Sequence, residues 1–177
     1  RLDLGAIAKG YAADELAKMI RGWGIKRGMI DLGGNIFALG NKKAESPWHI
    51  GIRDPEESGG ASVLSLYISD ASMVTSGINE RFFIDNGKRY HHILDPETGY
   101  PADTDMLSVS ILSPSSMEAD ALSTTLFLLG IPRGLEYIET VPDVEAVFID
   151  KSHKVYPSSG LSAKLQIRNP RYSLAGN

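Results

Sequence analysis

The sequence predicts an α+β domain in which a mixed or antiparallel sheet with β-hairpins packs against helices. Two observations favour this class over a doubly wound parallel sheet. Asn86-Gly87 separates two strand-like runs, which is typical of a two-residue hairpin turn. Helical periodicity is confined to residues 7–21 and 115–130, so strands do not alternate regularly with helices. The 177 residues, 42% hydrophobic and 23% charged, fit one domain over residues 1–177.

The N-terminal part of the chain predicts a helix between two strands. A short apolar strand, "LDLGA", leads into a helix over residues 7–21, which has basic residues in its last turn and glycines just beyond. Residues 27–40, "RGMIDLGGNIFALG", then predict one buried strand. Within it, Gly33-Gly34 indicates a bulge or a close approach of the backbone to another group.

The rest of the chain predicts strands around a second helix. Further strands are expected at residues 48–53, 62–69, 80–94 as a hairpin, 106–113 and 144–150. The strand at 62–69 should be half-buried, because its leucines and isoleucine alternate with other residues. Ser115 and Glu118 form a capping-box pattern at the start of the second helix, and Gly130 ends it. After a turn at 151–154 the tail is loosely patterned.

Composition excludes several functional classes. The formal net charge is −4 and no run of Lys or Arg exceeds two residues, so we expect no nucleic-acid partner. No stretch approaches the roughly 20 apolar residues that span a bilayer, so we expect no membrane span in this chain. The absence of cysteine excludes disulfides, thiolate metal sites and a thiol nucleophile.

Three side-chain oxygens share one face of the second helix. Asp120, Ser123 and Thr124 stand at positions i, i+3 and i+4. One carboxylate with hydroxyl groups suits Mg²⁺, which prefers hard oxygen ligands and keeps several waters or substrate oxygens. The alternative is structural: Asp120 complements the helix dipole and Thr124 bonds a backbone carbonyl.

The junction "DLGAIAKG", residues 3–10, runs from a strand end into a helix. Such a junction presents free N–H groups and the positive end of the helix dipole to an anion, and Lys9 could add a charge. It is not a Walker loop, because its glycine spacing is wrong and no Lys-Ser/Thr pair follows. A tight connection built from small residues is the alternative.

Two adjacent histidines, His91 and His92, follow the predicted hairpin turn. Strand alternation sends their rings to opposite faces, so they cannot readily share a metal. We expect one to face the site, where a histidine can act as a general base or contact a phosphate. The alternative for either residue is a structural histidine.

Five segments of the chain resemble the ApbE family, the FAD:protein FMN transferases. In chain order they are "DLGAIAKGYAAD" (3–14), "IDLGGNIFALG" (30–40), "VTSG" (74–77), "YHHILDPETGYP" (90–101) and "ADALSTTLFLLG" (119–130). Members of the family are typically longer at the N-terminus, so the resemblance implies that this chain lacks an N-terminal part of the full-length protein.

The resemblance implies a Mg²⁺-dependent transferase. Such an enzyme binds FAD, attaches FMN through a phosphoester to a Thr or Ser hydroxyl of an acceptor flavoprotein, and releases AMP. The alternatives are an FAD pyrophosphatase, which gives FMN and AMP, and a flavin-binding protein without turnover. The family likeness also implies an extracytoplasmic, often lipid-anchored protein that modifies subunits of electron-transfer chains.

The resemblance also assigns residues. The metal would be held by Asp120 and Thr124, by the backbone carbonyl of Ala6, and less strongly by Ser123. His92 would be the catalytic base beside Asp120. FAD would be held by Asp3, Lys9 and the backbone near Leu94, and the backbone at Gly33, Gly34, Ser76 and Gly77 could approach the nucleotide, although these glycines are equally explained by a bulge or a turn.

Overall fold

The structure is a computed structural model that describes residues 3–57 and 61–176. In these residues the helices are α1 (Ala8–Gly22), α2 (Ser116–Leu129) and α3 (Ile131–Ile138). The strands are β1 (Gly28–Asp31), β2 (Ile36–Leu39), β3 (Trp48–Arg53), β4 (Ser62–Ile68), β5 (Ala71–Gly77), β6 (Phe82–Asp85), β7 (Lys88–His91), β8 (Met106–Ser113), β9 (Glu145–Asp150), β10 (Lys154–Pro157), β11 (Gln166–Ile167) and β12 (Ser173–Leu174). None of the described helices combines the length and apolar character needed to cross a bilayer.

The strands form three sheets within the described residues. The largest has seven strands in the order β1-β2-β5-β8-β9-β10-β12, and its neighbours are antiparallel except for the parallel pair β10 and β12. A second, antiparallel sheet has the order β11-β4-β3, and β6 with β7 forms a separate hairpin. These antiparallel sheets with three helices confirm the predicted α+β class.

Strand β9 shows how the layers pack. Val147 and Ile149 belong to one apolar cluster, which they share with β3 and β4. Ala146 and Phe148 point to the opposite face and belong to a second cluster, shared with α2 and α3. The large sheet is therefore covered on both faces, and α2 is fixed on its surface. The prediction of one domain over residues 1–177 stays a prediction.

Two predictions in the N-terminal part were wrong. Residues 27–40 are not one strand but a hairpin, β1 and β2, with a turn at Gly33 (φ 67°) and Gly34 (φ 93°). Both positive φ values favour glycine, and the continuous apolar run concealed the turn. The described residues of "LDLGA" form a turn rather than a strand, because the Asp3 carboxylate accepts a hydrogen bond from the Gly5 N–H at 2.7 Å.

The second half of the chain follows the predictions more closely. The hairpin turn is at Asn86 (φ 49°) and Gly87 (φ 78°), as expected, and the strand at 106–113 is confirmed. At the start of α2, Ser115 Oγ accepts a hydrogen bond from the Glu118 N–H at 3.3 Å. Only half of the capping box forms, since the Glu118 carboxylate accepts from Ser113 Oγ at 2.9 Å instead.

Two other expectations need correction. Gly130 ends α2, but a third helix, α3, starts directly after it with a proline in its first turn. Strand β4 is almost fully buried rather than half-buried, since Val63 and Ser65 on its second face are covered as well. The C-terminal segment contributes to this cover, because Arg168 Nε donates a hydrogen bond to Ser65 Oγ at 2.7 Å.

Candidate active site

Helices α1 and α2 cap each other at their N-terminal ends. Asp120 of α2 accepts a hydrogen bond through Oδ2 from the Gly10 N–H of α1, at 2.8 Å. In return, Asp14 of α1 accepts hydrogen bonds from the N–H groups of Ser116, at 2.8 Å, and Met117, at 3.0 Å. Helix N-termini leave such N–H groups without intrahelical partners, and a carboxylate satisfies them. The reciprocal pairing, called here the α1–α2 junction, places Asp120 at the entry to α1.

A glycine makes this close approach possible. A Cβ at Gly10 would lie only 2.3 Å from the Ser116 carbonyl oxygen, so any side chain would push the helices apart. The Asp120 carboxylate of α2 serves as the side-chain cap of α1, because the N-cap residue Ile7 supplies no side-chain hydrogen bond. Sequence reasoning missed Gly10, since a glycine within a helix does not reveal which element packs against it.

Asp120 is a buried carboxylate, with 5% of its surface exposed. Burial raises its pKa above the ordinary value of 3.8, while the Gly10 N–H and the positive charge of Lys9 oppose this rise. Among the described residues, the one hydrogen bond to this carboxylate falls on Oδ2, so Oδ1 has no protein donor. A carboxylate oxygen without a protein donor is available as a ligand for a cation.

Hydroxyl groups from two elements meet next to Asp120. Ser123 Oγ donates a hydrogen bond to the Asp120 backbone carbonyl at 2.8 Å. Ser76 Oγ, on β5, lies 2.8 Å from Ser123 Oγ and is therefore the donor in that pair. Ser123 is thus already engaged twice, whereas the half-buried Thr124 lies one helical turn from Asp120. Thr124 is accordingly the more available hydroxyl ligand.

The segment before α1 contributes backbone oxygen. In a continuous α-helix the Gly10 N–H would bond to the carbonyl of Ala6, four residues earlier. Because Asp120 takes this N–H, the Ala6 carbonyl is released from that role. Asp3 and Ala6 are both exposed in the turn that leads into α1, and Lys9 is half-buried within its first turn.

These residues fit a magnesium ion better than a transition metal. Within residues 3–57 and 61–176, no group of three or more His, Cys, Asp or Glu side chains is arranged to hold a metal. The predicted ligand set has a single carboxylate, with hydroxyl and carbonyl oxygens beside it. Mg²⁺ accepts such a set, because it retains several waters and substrate phosphate oxygens. The oxygen of Asp120 without a protein donor is the observation that supports this fit.

The predicted flavin-site glycines have structural explanations in the chain itself. Gly33 and Gly34 form the β1–β2 turn, where the Asp31 carboxylate accepts a hydrogen bond from the Gly34 N–H at 2.8 Å. The turn is joined to the α1–α2 junction by the next residue, Asn35, whose Oδ1 accepts from Ser116 Oγ at 2.7 Å. Neither glycine has a neighbour within 4 Å of a Cβ position, so space beside them is open.

Gly77 differs from that pair. A Cβ at Gly77 would lie 3.1 Å from the Leu107 carbonyl oxygen and 3.2 Å from the Ser108 side chain, both on β8. Close packing within the sheet therefore explains why this position is glycine. Of Ser76 and Gly77, it is Ser76 that contacts α2, through its hydrogen bond with Ser123.

The two histidines occupy different environments, as strand alternation predicts. His91 is buried, packs edge-on against Phe127 with ring centroids 5.8 Å apart, and has Nε2 3.1 Å from the Ala102 carbonyl oxygen. Since a carbonyl only accepts, Nε2 carries the proton. Burial lowers the pKa of His91 below 6.5, which keeps the ring neutral. His91 is thus a structural residue of the core.

His92 is exposed and points away from that core. Its Nδ1 lies 3.2 Å from the Arg81 carbonyl oxygen, which fixes the proton on Nδ1. Nε2 of the neutral ring is then an unprotonated acceptor, as a general base requires. Leu94, two residues further along, is 52% exposed and pairs with Pro101 across the following turn.

Glu80 is an acidic residue whose pKa responds to charges at His92 and at the α1–α2 junction. It lies in the loop between β5 and β6, and desolvation raises the pKa of its carboxyl above 4.5. Lys9 and His92 oppose that rise, whereas the negative charge of Asp120 adds to it. The residue is nevertheless exposed at the surface, so solvent weakens these charge interactions. Nothing in the sequence singled it out, because an acidic residue in a loop carries no pattern.

The structure thus brings most of the predicted residues into one region. Lys9, Asp120, Ser123 and Ser76 meet at the α1–α2 junction through the hydrogen bonds and charge interactions described above. Thr124 and Ala6 lie beside them along the chain. No hydrogen bond between described residues joins Asp3, Gly33 or Leu94 directly to Asp120.

Comparison with known proteins gives a consistent result. The model of the ApbE family matches residues 1–148 of the chain. The FAD:protein FMN transferase of Treponema pallidum (strain Nichols) is 43% identical over 182 residues, which cover 98% of this chain and 50% of that protein. Its counterpart in Klebsiella pneumoniae (strain 342) is 42% identical over 158 residues, covering 89% of this chain and 48% of that protein.

Solved structures agree with the sequence matches. The ApbE protein from Thermotoga maritima superposes with a TM-score of 0.84 at 32% identity, over 96% of this chain and 54% of that one. The flavin transferase ApbE from Vibrio cholerae gives a TM-score of 0.78 at 34% identity, over 92% of this chain and 52% of that one. The chain spans about half the length of the curated relatives it matches.

Proposed function

Because the chain belongs to the ApbE family, we propose that it takes part in FAD:protein FMN transfer, in which FMN moves from FAD to a Thr or Ser hydroxyl of an acceptor flavoprotein and AMP is released. The observation that carries the proposal is the α1–α2 junction. There a buried carboxylate, Asp120, holds a helix N-terminus at 2.8 Å and keeps one oxygen without a protein donor. Such a place suits a cation and a phosphate together.

Asp120, Thr124 and the Ala6 carbonyl would hold Mg²⁺, with Ser123 as a weaker ligand. When bound, Mg²⁺ neutralises charge on the pyrophosphate oxygens. The chain's own contribution is to keep the carboxylate in place through the Gly10 N–H and through the hydrogen bond from Ser123 to the Asp120 carbonyl.

Residues around the junction would bind FAD. Lys9 and the N-terminal dipole of α1 attract the pyrophosphate. Asp3, the backbone near Leu94, and the open surface at Gly33 and Gly34 would contact the rest of the dinucleotide. Ser76 and Gly77 lie on the strand next to α2, and Ser76 would act through Ser123.

The transfer exchanges one P–O bond for another. The acceptor hydroxyl oxygen bonds to the phosphorus of the FMN half, while the bond from that phosphorus to the bridging oxygen breaks and AMP leaves with that oxygen. His92 takes the hydroxyl proton at Nε2, because its Nδ1–H is held by the Arg81 carbonyl. Positioning and charge neutralisation account for most of the acceleration in reactions of this kind.

The test is to measure AMP release from FAD with Mg²⁺ or a chelator, with and without a threonine-containing acceptor protein, together with the mass of the acceptor. We expect AMP only when Mg²⁺ and acceptor are both present, and a gain of one FMN by the acceptor. His92→Gln should slow release by about 10² to 10⁴-fold. The matched control is His49→Gln, which removes another exposed histidine, on β3.

Two outcomes would replace the proposal. AMP formed at full rate without acceptor, with Mg²⁺ alone, would identify an FAD pyrophosphatase. FAD binding without any AMP under every condition would identify a flavin-binding protein, and the roles given to Asp120 and His92 would then be wrong.

We also propose that the protein works outside the cytoplasm, lipid-anchored, on a flavoprotein subunit of an electron-transfer chain. This location is supported by the family likeness alone. Fractionation of the source cells, with an antibody to this chain, should place the protein in the envelope fraction. Its recovery in the cytoplasmic fraction would overturn this location.

A further inference from the structure

A groove of about 360 Å³ lies beside strand β7, outside the α1–α2 junction. It is lined by residues 88–91 of β7 and by residues 100–104, together with Ile78 and Lys151. The side chains that matter for its chemistry are Lys88, Arg89, Tyr90, Tyr100, Asp103 and Lys151. The function proposed above uses none of these residues.

The groove arises where two chain segments diverge. The Ala102 N–H donates to the Ile93 carbonyl at 3.0 Å, and the Asp95 N–H donates to the Tyr100 carbonyl at 2.9 Å, so the segments are paired at this point. Toward β7 they separate, and the groove opens between them. His91, the residue before the proposed base, lines the groove.

Strand β7 presents unpaired backbone groups to this groove. The His92 N–H donates to the Arg81 carbonyl at 3.1 Å, which makes these two residues a hydrogen-bonded pair of the antiparallel ladder. Bonded and non-bonded pairs alternate, so the N–H and C=O groups of Arg89 and His91 point away from β6. The β6–β7 sheet has only two strands, and its outer edge can accept an extended segment as a third strand.

The groove also carries a net positive charge. Lys88, Arg89 and Lys151 face a single acidic side chain, Asp103. Arg89 is engaged by the Asn79 side chain, but no ion pair involving Lys88 or Lys151 is found in the described part of the chain. Lys151 and Lys88, whose Nζ lies 5.5 Å from the centre of the Tyr90 ring, are two cations beside an open strand edge and complement an acidic extended peptide.

We infer that this groove docks an acidic, extended segment of the acceptor protein, which adds to the edge of β7 and brings its hydroxyl residue toward His92. The inference rests on the proposed function and adds to it the surface that recognises the acceptor. The backbone edge would provide affinity for any extended chain, and Lys88 and Lys151 would select acidic neighbours of the modified residue.

The test uses the double charge reversal Lys88→Glu with Lys151→Glu, because both residues are exposed and their change spares the core. The matched control is Lys42→Glu, an exposed lysine in the β2–β3 loop. The first readout is direct binding of a fluorescent ten-residue peptide that carries a central threonine flanked by aspartates, compared with the same peptide carrying asparagines. The second readout is the KM for acceptor protein, measured beside the KM for FAD and kcat.

The acidic peptide should bind the unaltered chain better than the asparagine peptide, and the double variant should weaken that binding about tenfold, as expected for two charges at the rim of an interface. In turnover, the KM for acceptor should rise by a similar factor while the KM for FAD stays constant. The control should match the unaltered chain in both readouts.

The two proposals fail in different ways. If FMN transfer occurs but the double variant equals the control in acceptor KM and in peptide binding, the groove is not the docking site and the transferase stands. If no FMN transfer is detected, the proposed function is wrong. Peptide binding then still shows whether the groove binds an acidic peptide. Failure of the acidic peptide to bind at millimolar concentration overturns the groove proposal in either case.

Discussion

Asp14 and Asp120 each cap a neighbouring helix, but they differ in burial and in the number of their oxygens that accept hydrogen bonds. Each caps the N-terminus of the other's helix, at distances between 2.8 and 3.0 Å. Asp14 uses both oxygens, since Oδ1 accepts from the Ser116 N–H and Oδ2 accepts from the Met117 N–H and from Ser115 Oγ. Asp120 uses only Oδ2 among the described residues, and it is the more deeply buried of the two.

This difference distinguishes a carboxylate that only stabilises a helix from one that can also bind a ligand. A carboxylate that is saturated by protein donors stabilises its helix and has little capacity for a ligand. A carboxylate that keeps one oxygen free of protein donors can accept a ligand, and a buried carboxyl group with a raised pKa is typical of functional sites. We therefore propose a catalytic role for Asp120 and a purely structural role for Asp14.

The largest expected effect distinguishes the two carboxylates by activity. Asp120→Asn should reduce AMP release from FAD by about 10² to 10³-fold, because it removes the charge that would hold the cation. Asparagine can still accept the Gly10 N–H, so the melting temperature should stay constant or rise slightly. Asp14→Asn should retain most activity when assayed well below its melting temperature. Equal losses in both variants would contradict the assignment.

The next effect distinguishes the two hydroxyls. Thr124→Val removes a proposed ligand with little change in volume and should weaken Mg²⁺ binding tenfold or more, by roughly 1.4 kcal/mol. Ser123→Ala should weaken it only a few-fold, because that hydroxyl is already engaged by the Asp120 carbonyl and Ser76. Titration of Mg²⁺ against AMP release measures both, and a larger loss for Ser123→Ala would reverse the ligand assignment.

A smaller effect concerns folding. Asp14→Asn should lower the free energy of unfolding by about 1 kcal/mol, since one of its oxygens becomes an amide that faces N–H donors. For a chain of this size that is a fall in melting temperature of roughly 2 to 4 °C. Thermal unfolding followed by circular dichroism tests this, with Asp120→Asn as the matched control. A fall of the same size in the control would mean that both caps are structural.

The smallest effect is a pH dependence of stability without metal. Because burial raises the pKa of Asp120 in the folded state, the native protein holds this proton more tightly than the unfolded chain. The free energy of unfolding should therefore fall as pH rises from the ordinary value of 3.8 through the raised pKa, and this contribution should be constant above it. Asp120→Asn should remove it. Denaturant unfolding across that window provides the measurement.

The sequence predicted local geometry better than it predicted contacts between distant segments. Spacing on one helix was sufficient to place Asp120, Ser123 and Thr124 together, because helical periodicity is local. The Asn86-Gly87 turn was equally local and was confirmed. By contrast, the contact of Gly10 with Asp120 joins residues 110 positions apart, and no local pattern encodes it.

The errors have the same origin. A run of apolar residues at 27–40 looked continuous, although two glycines with positive φ reverse the chain within it. Strand β4 looked half-buried, because the segment that covers its second face lies about 100 residues away. The resemblance to a family supplied the roles of Lys9 and His92, which composition and spacing alone had left open between chemical and structural explanations.

Cation binding tests the distinction between the two carboxylates most directly. Mn²⁺ can stand in for Mg²⁺, and its electron paramagnetic resonance signal reports the free ion in the presence of FAD. The account predicts that the unaltered chain and Asp14→Asn bind Mn²⁺ with equal affinity, whereas Asp120→Asn loses binding while remaining folded. Undiminished Mn²⁺ binding by folded Asp120→Asn would contradict the account, and Asp120 would then be only a helix cap.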